Sequence, residues 1–157
     1  MNTSIRAIAA AAVALAASTT FAASDTATLN VTASVAAVCK LTLSGPMAFG
    51  ALDPTSTADA TATVTASYKC TKGTPVTSFT VNGVTTGTYA GTMTGAGTTP
   101  DSIAYAIAWT NPTAYTGLGL GAVTAKTVSL GGTILNANFV NVKPDTYSGS
   151  VGVAVNY

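Results

Sequence analysis

Residues 27–43 read ATLNVTASVAAVCKLTL. The odd positions Ala27, Leu29, Val31, Ala33 and Val35 are apolar, while Thr28, Asn30, Thr32 and Ser34 between them are polar. A period of two marks a strand with one face buried. The same odd parity continues through Cys39, Leu41 and Leu43. Only AAV (36–38) separates the two stretches, and it offers no Gly, Pro, Asn or Asp to make a turn. At about 3.3 Å per residue the run extends roughly 55 Å, whereas a strand in a globular domain spans about 17–20 Å. A single sandwich cannot use that length. The N-terminal half is therefore expected to project beyond the domain that holds the second half.

The other end of the chain poses the complementary problem. YSGSVGVAVNY (147–157) alternates again, with Val151, Val153, Val155 and Tyr157 apolar and Gly152, Ala154 and Asn156 small or polar. No turn and no further strand follow it. One strand lacks a neighbour and one arm lacks a sheet. An arm that leaves its own domain can fill the gap in another copy, by strand addition. Repeated head to tail, that contact is heterologous and builds a filament.

The first 22 residues are expected to lie outside the fold. Arg6 supplies a positive start, AIAAAAVALAA a short apolar run, and TFA before Ala23 a small-residue cleavage site. This is the pattern of a secretory signal peptide, too short in its apolar part to span a bilayer. The rest divides into an N-terminal arm (23–37) and one domain (38–157). That remainder has no His, Glu or Arg, and its charges are five Lys and five Asp. Such balance leaves no basic field for nucleic acid. Thr, Ala, Gly and Val dominate, which favours strands and turns.

Cys39 and Cys70 are the only cysteines. In an exported chain an even count argues for one disulfide. Their spacing fits no zinc signature, and no metal or cofactor is expected. ADATATVTASYKC (58–70) alternates, with Ala60, Ala62, Val64, Ala66, Tyr68 and Cys70 on one face. MAFGALDP (47–54) reads as an edge segment closing in an Asp53–Pro54 turn. VTSFTV (76–81) and SIAYAIAW (102–109) read as strands, and Asn82–Gly83 as a hairpin signal. AKTVSLGGTI (125–134) is a further strand. Six or seven short strands with regular turns make an antiparallel sandwich. Tyr147, at the start of the closing strand, reads either as a tyrosine-corner residue or as an ordinary rim aromatic.

No catalytic constellation is visible. Asp53 and Asp59 are close in sequence, but without His, Glu or an aligned nucleophile they read as turn residues. GLGLG and TGAG precede no helix that could present an anion-binding N-terminus. Asn30-Val31-Thr32 is a glycosylation sequon that falls on the polar face of the arm. Trp109 and Tyr115 read as packing residues. An enzyme is not expected.

The segments VTASVAAVCKLTLSGPMAFGALDP, ATVTASYKCTKGTP, GTMTG with IAYAI after it, and the terminal YSGSVGVAVNY together resemble the spore coat protein U domain family. That family includes the major subunits of archaic chaperone–usher pili. The resemblance implies an all-β, incomplete immunoglobulin-like sandwich of six strands that lacks its last strand and carries an N-terminal donor arm. It implies a periplasmic chaperone, an outer-membrane usher and other copies of the chain as partners. It also implies export through the periplasm to a surface fibre that supports adhesion and biofilm formation. Carried over by position, Cys39 and Cys70 match the disulfide pair. Ala27, Leu29, Val31, Ala33 and Val35 match the donor strand, and Val151, Val153 and Val155, with Tyr157 after them, match the strand bordering the acceptor groove. The chain departs from the family in YSGSV, which lacks a frequent Asp, and in AWTNPTAY, where a charged stretch is usual. The alternative is a self-contained secreted sandwich, a coat component or ligand-binding module, with the arm folded on its own sheet.

Overall fold

The computed structural model describes residues 24–122 and 124–157. The expected signal peptide, residues 1–22, lies outside them. The chain divides into two units, Met1–Ser34 and Val35–Tyr157. Within the first, residues 24–34 form no regular secondary structure and are exposed throughout.

Among the described residues the second unit is built from ten strand segments. They are β1 (Cys39–Leu43), β2 (Ala60–Cys70), β3 (Pro75–Val76), β4 (Ser78–Val81), β5 (Thr88–Gly95), β6 (Ser102–Trp109), β7 (Tyr115–Thr116), β8 (Lys126–Ile134), β9 (Tyr147–Ser148) and β10 (Val153–Asn156). Six of them form one antiparallel sheet in the order β1-β2-β8-β6-β5-β9. Two short pairs, β10-β4 and β3-β7, stand opposite. The result is an all-β, open antiparallel half-barrel, an incomplete sandwich.

Alternation in the sequence becomes the two faces of the sheet. In β2, Val64, Ala66, Tyr68 and Cys70 are buried, while the Thr, Ser and Lys residues between them face outward. β6 buries Ile103, Tyr105, Ile107 and Trp109, and β8 buries Val128, Leu130 and Ile134. Phe79 and Val81 of β4 close over them from the other side. The three sheets meet at Tyr68, whose ring lies 6.4 Å from Phe79 of β4 and 5.5 Å, edge-on, from Tyr115 of β7. Burial of such side chains is worth about 1.5–3 kcal/mol each.

The Asn82–Gly83 signal forms the turn it suggests. Asn82 has φ 49° and Gly83 φ 80°, the left-handed pair that a type I′ turn requires. Val84 N donates back to Val81 O at 3.0 Å. Four details differ from the sequence reading. The closing run 147–157 is broken at residues 149–152 into β9, which pairs with β5, and β10, which pairs with β4. The run at 76–81 is split, because Thr77 turns its amide and hydroxyl to Asn156 O at 2.8 and 3.1 Å. Leu43 is exposed at the end of β1 although its parity matches Leu41. β5 is a full strand that alternation did not reveal.

Cys39 and Cys70 are joined by a disulfide, and they are direct cross-strand partners of β1 and β2. It closes a separation of 31 residues, which in the chain-entropy picture stabilises the fold by about 3–4 kcal/mol.

Candidate functional site

Among the described residues the closing strand has a ladder partner on one edge only, although β1 also comes close to it. β10 pairs with β4 in the register Val153↔Val81 and Val155↔Phe79. Asn82 N extends that ladder by donating to Gly152 O at 2.6 Å. Among the described residues no strand pairs with the opposite edge of β10. Val151, Val153 and Val155 turn toward the core and are half-buried, while Gly152, Ala154 and Asn156 are exposed. Core-facing valines that stay half-exposed are what a missing neighbour leaves behind. Tyr157 lies beyond the end of β10 and is 52% exposed.

A second open stretch faces the core from residues 46–52. Here Met47 and Phe49 alternate toward the core, Leu52 joins them after a break at Gly50, and all three are half-buried, yet the segment joins no ladder. The edge segment expected at 47–54 is thus extended backbone without a strand partner. Gly132 of β8 makes room for it: a Cβ there would stand 2.8 Å from Phe49 Cζ and would also meet Met47 Sδ.

Between residues 47–54 and 139–147 lies a cleft of about 610 Å³. Its floor is core surface, Ile103, Ile134 and Phe139, and Met93 of β5 lines it as well. Lys143, Asp145 and Tyr147 form the polar side. The cleft reaches the closing segment at Thr146 and Tyr147 and is not lined by Val151, Val153 or Val155. Sequence reading therefore missed Met47, Phe49, Leu52, Met93 and Phe139. For Met47 and Phe49 the alternation was legible, but Gly50, at φ 76°, interrupts it.

Tyr147 is fixed from below. Its Oη donates to the carbonyl oxygen of Lys143 at 2.8 Å, the backward bond of a tyrosine corner. Burial, then the nearby Asp101 and Asp145 carboxylates, push the Tyr147 phenol above its usual range.

The arm residues Ala27, Leu29, Val31, Ala33 and Val35 are all exposed. Leu29 is 85% exposed, Val31 83% and Val35 87%. A run of large apolar side chains in water is unfavourable by the same transfer free energy that builds cores.

The carboxylates do turn work. Asp53 Oδ1 accepts from the Thr55 hydroxyl at 2.7 Å and the Thr55 amide at 2.8 Å. Those bonds, the hydroxyl first, hold its pKa below the ordinary value. Asp59 accepts instead from Asn136 N at 2.8 Å, so the two do not form a pair. Trp109 is buried and donates its indole N–H to Asn111 Oδ1 at 2.9 Å. Among the described residues no three His, Cys, Asp or Glu side chains gather to hold a metal ion.

A family profile described as the Spore Coat Protein U domain matches residues 25–154. No curated protein and no solved structure matches the chain. By its profile this is a structural domain.

Proposed function

The chain belongs to the spore coat protein U domain family, and from that premise we propose that it is a subunit of a bacterial surface fibre, polymerised by donor-strand complementation. The N-terminal arm, residues 23–37, of one copy completes the open domain, residues 38–157, of the next. Leu29, Val31 and Val35 are the alternate pegs, and Val151, Val153 and Val155 border the groove that takes them. The observation that carries this reading is the half-buried inner face of β10, which has a ladder partner on one edge only.

Physical chemistry supports the same reading. An unpaired strand edge beside half-exposed valines is a template for another strand. The arm has the matching period of two and exposes its large side chains. Before assembly such an edge needs a temporary cover, so the partners on this account are a periplasmic chaperone and an outer-membrane usher as well as other copies of the chain. Residues 1–22 direct export, and the finished polymer stands on the cell surface, where it serves adhesion and biofilm formation.

Leu29→Asp and Val31→Asp test the proposal. Each places an unpaired charge in an apolar groove, at a cost of several kcal/mol. Export is expected to continue while surface fibres disappear. Normal fibres from either variant would show that the arm is not the donor.

A further inference from the structure

The charged side chains of the Val35–Tyr157 unit are sorted to its two ends. Asp59 stands just before β2, and its carboxylate accepts from Asn136 N beyond the end of β8. Asp53 is at the same end, because its carbonyl accepts from Ser56 N at 3.0 Å and Ser56 O in turn accepts from Asn136 Nδ2. Asp101 precedes β6 and accepts from Lys143 N at 2.8 Å. Asp145 accepts from Gly97 N at 2.8 Å, just past β5. Antiparallel register puts the start of β6 and the end of β5 at the end of β8 that carries Ile134. All four aspartates of this unit therefore lie at one end.

Four of its five lysines lie at the other. Lys40 and Lys69 are direct cross-strand partners, and Lys126 is paired with Tyr68 one step away. Lys72 follows Cys70 in the next turn. Only Lys143 is at the acidic end, where it makes the one ion pair among the described residues, 3.9 Å from Asp101. In side-chain charge the acidic end carries four negatives and one positive, and the basic end four positives and no negative. From Asp59 to Lys69 along β2 the distance is about 33 Å. That is several Debye lengths at physiological salt, about 8 Å each, so the two ends do not neutralise each other. Lys40 opposite Lys69 is a like-charge pair that costs stability within one copy.

We infer that successive copies of this chain abut basic end to acidic end, and that this contact steers and orients their assembly. The chain path supports that direction. The domain begins at the basic end, where Val38 N donates to Thr71 Oγ1 and Thr71 N to Val38 O. β10 is entered from the acidic end, because β9 before it pairs with the end of β5. On the donor-strand reading, on which the direction of stacking rests, an arm that runs antiparallel to β10 leaves the groove at that end and draws its own basic end toward that copy's acidic end. Val35 to Val38 spans about 10 Å, so the two ends come within roughly one Debye length. The second copy supplies the negative charge that Lys40 lacks in the first, where Lys69 Nζ is already engaged by Ala122 O.

The test measures two associations of the purified exported chain, at about 20 mM and about 500 mM NaCl. One is binding of a peptide of residues 27–35, which contains no charged residue and reads the groove alone. The other is the rate of chain-to-chain assembly. The variants are Lys40→Glu/Lys72→Glu and its control Lys40→Arg/Lys72→Arg. Peptide binding is expected to be equal in all three proteins and at both salts, which also reports an intact fold. Assembly of the natural chain should slow at least about tenfold at high salt, the lower bound for electrostatic steering. The glutamate variant should be equally slow at low salt, and the arginine variant should match the natural chain. If the peptide binds but assembly ignores both salt and charge reversal, the end contact is overturned and the donor-strand reading stands. If the peptide fails to bind, the donor-strand reading falls, and the end contact stands or falls on the salt and charge-reversal response alone.

Discussion

Gly132 lies directly beneath Phe49, so close that a Cβ on the glycine would stand 2.8 Å from the ring's Cζ. The missing side chain on the core face of β8 is the space into which Met47 and Phe49 fit. That fit holds residues 46–52 against the sheet even though the segment has no ladder bonds.

The consequence is a substitution that tests whether the cleft beside residues 46–52 forms part of the groove. In Gly132→Val the added branches displace Met47 and Phe49, and overpacking of this kind costs about 1–3 kcal/mol. Affinity for a peptide of residues 27–35 should fall at least about tenfold, the equivalent of 1.4 kcal/mol. Gly131→Ala is the control, since a Cβ there meets nothing nearer than Ala108 O at 3.8 Å. Equal peptide affinity in both variants would show that the 46–52 segment is not a groove wall.

Tyr68 yields a second prediction. It is 1% exposed at the meeting point of the three sheets, and among the described residues its Oη has no hydrogen-bond partner. A buried, unsatisfied hydroxyl costs about 1–3 kcal/mol. Tyr68→Phe should therefore raise stability by about 1–2 kcal/mol in chemical denaturation. A loss of stability would mean that the hydroxyl finds a partner in solution.

Alkaline pH should weaken the fold. Burial, with neighbouring Tyr115, pushes the Tyr68 phenol up; burial, with Tyr89, does so for Tyr105. Tyr147 is raised as well, by burial and by Asp101 and Asp145. A raised native pKa means that the folded state holds the proton more tightly than the unfolded state. The associated stability is complete below the ordinary tyrosine value of about 10 and is lost as pH climbs through the native values. Thermal melts across that range should show a falling midpoint, with a shallower fall in Tyr68→Phe. A flat profile would contradict the assigned environments.

The sequence made the frame legible because β2 and β6 alternate without interruption and β8 does so up to Gly131, Tyr68, Tyr105 and Leu130 falling in phase with their neighbours. The strand β5 was hidden by Gly91, whose missing side chain is replaced by the ring of Tyr105, 2.7 Å from where a Cβ would stand. A cross-strand aromatic that fills a neighbour's space removes the apolar letter from that neighbour's pattern. The candidate site was half legible for a similar reason. Its valines carry their own period, whereas Met93, Ile103 and Phe139 reach the cleft from three separate elements that only tertiary packing brings together.

The central claim is that a strand from another copy completes this domain. Three large arm side chains contribute roughly 4.5–9 kcal/mol when buried, against a total stability of about 5–15 kcal/mol for a typical domain. The most direct measurement is the melting temperature of two forms of the chain, both without the N-terminal arm, one of which carries a copy of Ala27–Val35 appended after Tyr157 through a flexible linker. The account predicts that the appended form is a monomer melting at least about 15 °C higher, and that the bare form aggregates or melts early. A bare form that is monomeric and as stable as the appended one would contradict it.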